Sequence, residues 1–239
     1  MNLFSTNSSW DFHTFLKEVE KSSKTNIPPS FNQWPQTISL TTDIWNRLLK
    51  IKKYTGIENR ERSASFFWAD GDVVTSEYIR GDENSVKVSH SAQLKYNPTT
   101  NNNYFEKQII VDGKIVKKYT IELNKIPQEP KIIPVFNVHT HPKNNSEDKA
   151  FYNFFSNTDI NALMSSKSIC SGLLIDQFWL IGKSERTNLN GDNSRLLERV
   201  NSRFTLLGED VKGKYLQEFS NSTGIVIYRA KEKGRLVRV

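Results

Sequence analysis

Residues 132–142 read IIPVFNVHTHP, an apolar run that ends on two histidines one residue apart. The run has strand length and β-forming composition, and Pro142 turns the chain after the second histidine. Side chains two apart in a strand share a face, so His139 and His141 present their imidazoles to the same side.

Downstream comes a polar loop, then a helix expected over about 157–166. SICSGLLIDQFWLIG (168–182) reads as two strands with a turn near Asp176-Gln177. Residues 191–221 read as mostly helical, and GIVIYRA (224–230) with RLVRV (235–239) as a closing strand pair around Gly234.

Upstream, SASFFWA (63–69) and VVTSEYI (73–79) flank Asp70-Gly71, a two-residue hairpin signal. FEKQIIV (105–111) and KIVKKYTIEL (114–123) flank Asp112-Gly113 in the same way, and VKVSHSAQLKY (86–96) alternates like a half-buried strand. TTDIWNRLLKIKK (41–53) carries a helical apolar stripe, with Gly56 as the expected stop. WDFHTFLKEVEK (10–21) reads as a short amphipathic helix, and SSKTNIPPSFNQWP (22–35) as a linker. The order helix, strands, helix, strands, helices predicts an α/β fold, a mixed sheet with flanking helices. The expected division is an N-terminal helix and linker at 1–36 and a main domain at 37–239. Within that domain the core spans about 37–183, with a C-terminal extension at 184–239.

The chain has 239 residues, 36% of them hydrophobic and 25% charged, which suits a globular protein with polar loops. No apolar run approaches the roughly 20 residues that span a membrane, and the start lacks the basic and apolar regions of a secretory signal. A single cysteine, Cys170, excludes an intramolecular disulfide, so a cytoplasmic setting is expected. The net charge of +7 invites a nucleic-acid reading, but its distribution argues against one. Residues 58–83 carry seven acidic and three basic side chains, whereas the last eleven carry five basic and one acidic. That is an uneven surface rather than one basic stripe.

Two same-face histidines suit a zinc ion, whose catalytic sites keep three protein ligands and one open position. The third ligand should be a carboxylate from a nearby element, and Ser156-Asn157-Thr158-Asp159 supplies one ahead of the apolar Ile160, Leu163 and Met164. The rival reading is local. Ser-x-x-Asp before an apolar run is a helix-capping signature, and His-x-His can be a polar pair at a strand end.

Taken together, His139-Thr140-His141-Pro142 and Ser156-x-x-Asp159 resemble the motif of the JAMM metalloproteases, also called MPN-plus or JAB. The strand PVFNV leading in, the helix DINAL leading out and the strand SGLLIDQFWLIG support the resemblance, which covers roughly residues 37–183. It implies a JAMM/MPN-like, cytidine-deaminase-like architecture with an inserted hairpin and terminal extensions. It further implies Zn2+ held by His139, His141 and Asp159, with Ser156 as the hydroxyl assisting the tetrahedral intermediate. An upstream glutamate acts as the base in this family, and Glu61 is the matching position. The implied activity is hydrolysis of a peptide or isopeptide bond in a protein substrate, such as the C-terminal tail of a ubiquitin-like protein. Fourteen residues, 142 to 155, separate His141 from Ser156, an enlarged loop for this family.

Glu58 and Glu77 are rivals of Glu61 for the base, and a hairpin closed at Asp70-Gly71 would set Glu61 opposite Arg80 as an ordinary cross-strand pair. His90 reads as a core histidine, His13 as a surface residue, Cys170 as a buried thiol, and Trp34 and Trp179 as core. Two other functions compete. One is a non-catalytic MPN-type interaction scaffold, the other a nucleic-acid-associated relative of the same fold.

Overall fold

The computed structural model describes residues 8–69, 72–75, 79–80, 88–100, 102–111, 114–122, 132–142, 154–166, 168–188, 191–204 and 209–239. Two helices precede the main strands. Helix α1 (Phe12–Thr25) starts at Asp11, whose carboxylate accepts the Thr14 N–H at 2.7 Å, and ends at the left-handed Asn26. Helix α2 (Thr42–Glu58) starts at Thr41, whose hydroxyl accepts the Ile44 N–H. Gly56 does not stop α2, contrary to expectation. A side chain there would meet nothing within 4 Å, and the helix runs on until Asn59 turns left-handed at φ 49°.

The strands are β1 (Ser9–Trp10), β2 (Thr37–Ile38), β3 (Arg62–Ala69), β4 (Asp72–Thr75), β5 (Ile79–Arg80), β6 (Val88–Asn97), β7 (Asn102–Val111), β8 (Lys114–Glu122), β9 (Ile132–Thr140), β10 (Cys170–Leu174), β11 (Phe178–Gly182), β12 (Val226–Ala230) and β13 (Leu236–Arg238). Ten of them form one mixed sheet ordered β1-β2-β13-β12-β11-β10-β9-β3-β4, with β5 also on β3. The β9–β10 and β1–β2 pairs are parallel and the others antiparallel. Strands β6, β7 and β8 make a separate antiparallel meander. Asp70-Gly71 and Asp112-Gly113 lie outside the described residues. The strands beside them pair Ala69 with Asp72 and Val111 with Lys114, as two-residue connections require.

Strand alternation sorts the apolar residues into two cores, one on each face of the sheet. On one face, Phe136, Val138, Phe178, Leu180, Val226 and Tyr228 pack with α1 and α2. On the other, Leu173, Trp179, Ile181 and Ile227 pack with α3 (Asn157–Ser165), α4 (Gly191–Phe204) and α5 (Glu209–Thr223). The fold is thus mixed α/β with helices flanking a curled sheet.

The stretch read as a linker contributes Phe31 and Trp34 to the first core. Trp34 Nε1 donates to the Lys183 carbonyl at 3.2 Å, and Tyr228 donates its hydroxyl to the Pro35 carbonyl at 2.6 Å. Phe15 of α1 meets Phe136 of β9 at 6.4 Å between ring centres. Among the described residues no helix is long and apolar enough to cross a membrane.

Candidate metal centre

Strand β9 lies between β3 and β10, with His139 opposite Ser63 on one side and Leu173 on the other. Alternation sends Phe136, Val138 and Thr140 toward α2 and leaves His139 and His141 on the face of α3. Their ring centres are 5.0 Å apart. Phe155 meets His139 edge-on at 6.0 Å and closes the apolar side of the site.

Helix α3 delivers the carboxylate. Ser156 is its cap, and its hydroxyl accepts the Asp159 N–H at 3.2 Å. In return Asp159 Oδ2 accepts the Ser156 N–H at 2.7 Å and the Ser156 O–H at 2.8 Å. This is a complete capping box. The capping reading and the ligand reading of Ser156-x-x-Asp159 are therefore compatible. The box occupies Oδ2 and leaves Oδ1 facing His139 Nε2 at 3.2 Å. The His139, His141 and Asp159 ligand atoms all lie within 4.8 Å of one another, so the three are able to hold a metal ion.

Glu61 precedes β3 by one residue and is 6% exposed. Burial drives its carboxyl from 4.5 to about 7, reinforced by Asp159 and opposed by His139, which places all three within electrostatic reach. Burial works against a charge on His139, but Asp159 and then Glu61 hold its pKa up at about 9. Asp159 goes the other way. Burial raises it, yet His139 and the two Ser156 donors together hold it well below the carboxylate range. Asp159 and Glu61 thus favour a positive charge at this point of the site.

The donor set is also one that a metal ion can use. His139 Nε2 is buried and lies 3.2 Å from Asp159 Oδ1, in a contact too poorly aligned to satisfy it as a full hydrogen bond. Ser63 Oγ, on the residue opposite His139, is likewise buried without a hydrogen-bond partner. Two imidazole nitrogens and one carboxylate oxygen are a zinc-type donor set, and filled tetrahedral sites hold ligand atoms roughly 3.3 Å apart. The His139–Asp159 separation already matches that spacing.

No family model, curated protein or solved structure matches the chain.

The expected pairing of Glu61 with Arg80 does not occur. Arg80 stands opposite Arg62, because β4 and β5 are separate pieces on the same edge of β3 and the register slips by one between them. Of the rival glutamates, Glu58 at the end of α2 is ion-paired with Arg62 of β3, and Glu77 lies outside the described residues. His13 is exposed, and nothing ties it to the site. The His90 side chain lies outside the described residues. Cys170 is a buried free thiol whose pKa burial pushes up, and Trp34 and Trp179 are core residues.

Four residues support the site from outside the ligand set, and of these only Thr140 falls within the motif. Phe155 walls His139, and Asn201 of α4 donates to the Phe155 carbonyl at 3.1 Å just before the capping box. Thr140 and Thr55 hydrogen-bond to each other beneath the histidines. All four act through packing or hydrogen bonds between segments distant in sequence.

Proposed function

We propose that the chain is a zinc-dependent hydrolase of peptide or isopeptide bonds, built like a JAMM metallopeptidase. The observation that carries this reading is the convergence of His139, His141 and Asp159 with a buried glutamate, Glu61, within electrostatic reach of them. A zinc ion held by the three ligands would polarise the scissile carbonyl and acidify a water.

The chain's own residues supply the rest. Glu61, buried within electrostatic reach of the ligands, is placed to take a proton from the attacking water and return it to the departing amine. Ser156 sits beside the ligand Asp159 and carries a hydroxyl proton now directed at Oδ2. Rotation of that hydroxyl would let it donate to the developing oxyanion. Phe155, itself buried, packs edge-on against the His139 ring and covers that side of it. The net reaction adds water across the C–N bond, with no covalent intermediate on the protein. The substrate class that goes with this reading is a protein, with the C-terminal tail of a ubiquitin-like protein as the first candidate.

The test is cleavage of ubiquitin-like fusions by zinc-loaded protein, with and without a chelator. Chelator-sensitive cleavage that disappears in Glu61→Gln supports the proposal. Absence of cleavage across a panel of such fusions and unfolded peptides, with zinc bound, overturns it.

A further inference from the structure

Thr140 stands between the two histidines but points to the opposite face of the sheet, where it is 1% exposed. Main-chain pairing of β3 with β9 is traced as far as Ser63 opposite His139. One residue further on, the Thr140 side chain takes over. Its Oγ1 accepts the Arg62 N–H at 3.1 Å and lies 3.3 Å from the Arg62 carbonyl oxygen. The same oxygen hydrogen-bonds the Thr55 hydroxyl, which itself reaches the Ile51 carbonyl at 3.2 Å, in the last turns of α2. One hydroxyl therefore ties the end of the histidine strand to helix α2 and to both main-chain polar groups of Arg62.

Arg62 is the residue directly after Glu61. Its side chain is also anchored on α2, paired with Glu58 and stacked over Tyr54 at 4.8 Å. The Glu61 carboxylate lies beyond the traced ladder, so its place beside the ligands depends on the geometry of Arg62.

We propose that Thr140 is a positioning residue that holds Glu61 at the metal centre through the Arg62 main chain. This rests on the hydrolase reading and adds to it a role for a residue that touches neither metal nor substrate. A buried hydroxyl with a purely structural role would affect unfolding alone. A positioning hydroxyl also sets where the Glu61 carboxylate stands relative to the ion, and the coordination environment reports that position.

The experiment compares Co2+-loaded wild type, Thr140→Val, Thr140→Ser and Glu61→Gln by visible absorption and, on the cleaved substrate, by kcat and KM. The expected result is that T140V binds one Co2+ per chain but shifts its absorption toward that of E61Q. Its kcat should fall at least tenfold with KM within about twofold, while T140S keeps the wild-type spectrum and rate. Should T140V fail to fold, Thr140→Ala carries the same expectation. A T140V spectrum superimposable on wild type while that of E61Q is displaced overturns this inference alone. Failure of the wild type to bind Co2+ overturns the hydrolase reading, and this inference with it.

Discussion

Asp159 divides its two oxygens between two tasks: Oδ2 is held by Ser156, and Oδ1 faces His139 Nε2 at 3.2 Å. The division makes the helix cap an orienting device for a ligand. A carboxylate free to rotate would offer either oxygen, whereas a capping box presents one in a fixed direction.

Removing the Ser156 hydroxyl should therefore act on two observables at once. Ser156→Ala should lower stability by about 1 kcal/mol, the usual cost of a lost cap. It should also weaken metal binding by about 10–100-fold, as expected when a partner that orients a ligand is removed. Chemical unfolding and competition against a chromogenic chelator measure the two. A loss of stability without a loss of affinity would show that the box does not orient the ligand.

The elevated pKa of His139, about 9, gives metal binding a defined pH dependence. Below that value the imidazole is protonated, and an ion must displace the proton. Through this residue, affinity should rise up to about tenfold per pH unit below about 9 and level off above it. Calorimetry in buffers of different ionisation enthalpy should show roughly one proton released per ion from this residue at pH 7.5.

Glu61 makes a prediction for the metal-free protein. Its folded pKa lies above its unfolded value, so its contribution to stability is full below 4.5 and is lost as pH rises through about 7. At pH 8 the ionised carboxylate is buried at a cost. Glu61→Gln should then be more stable than wild type by up to about 3 kcal/mol, and close to it at pH 4. Urea unfolding at the two pH values measures the difference. Equal stabilities at pH 8 would mean that the carboxylate is not buried as described.

Asn201 offers a control at a distance. It touches no ligand, but it fixes the Phe155 carbonyl at the entrance to the capping box. Asn201→Leu should destabilise the protein by about 1–3 kcal/mol by stranding that buried carbonyl. It should also reduce metal affinity, though less than Ser156→Ala does. Thermal unfolding and the same chelator competition test the ranking.

These residues differ in how legible they were. The imidazoles of His139 and His141 share a face because of strand periodicity, a local property visible in IIPVFNVHTHP. Ser156 and Asp159 stand out because a capping box is also local. The burial of Glu61 is not local, since it depends on β3 meeting β9 in one register some 78 residues away, where Arg62 meets Thr140. The break between β4 and β5 shifted Arg80 by one residue, which periodicity alone does not encode. Composition marked residues 22–35 as a linker, yet the segment places Phe31 and Trp34 in the core. Prolines and serines mark the segment as irregular, but irregular backbone can still carry core side chains when partners such as Lys183 and Tyr228 bind it.

The most direct test is the zinc content of purified, zinc-loaded protein after removal of free metal, measured by mass spectrometry for wild type and Asp159→Asn. The account expects close to one ion per chain in wild type and a small fraction of that in D159N. Negligible zinc in wild type, or equal zinc in both, would contradict it.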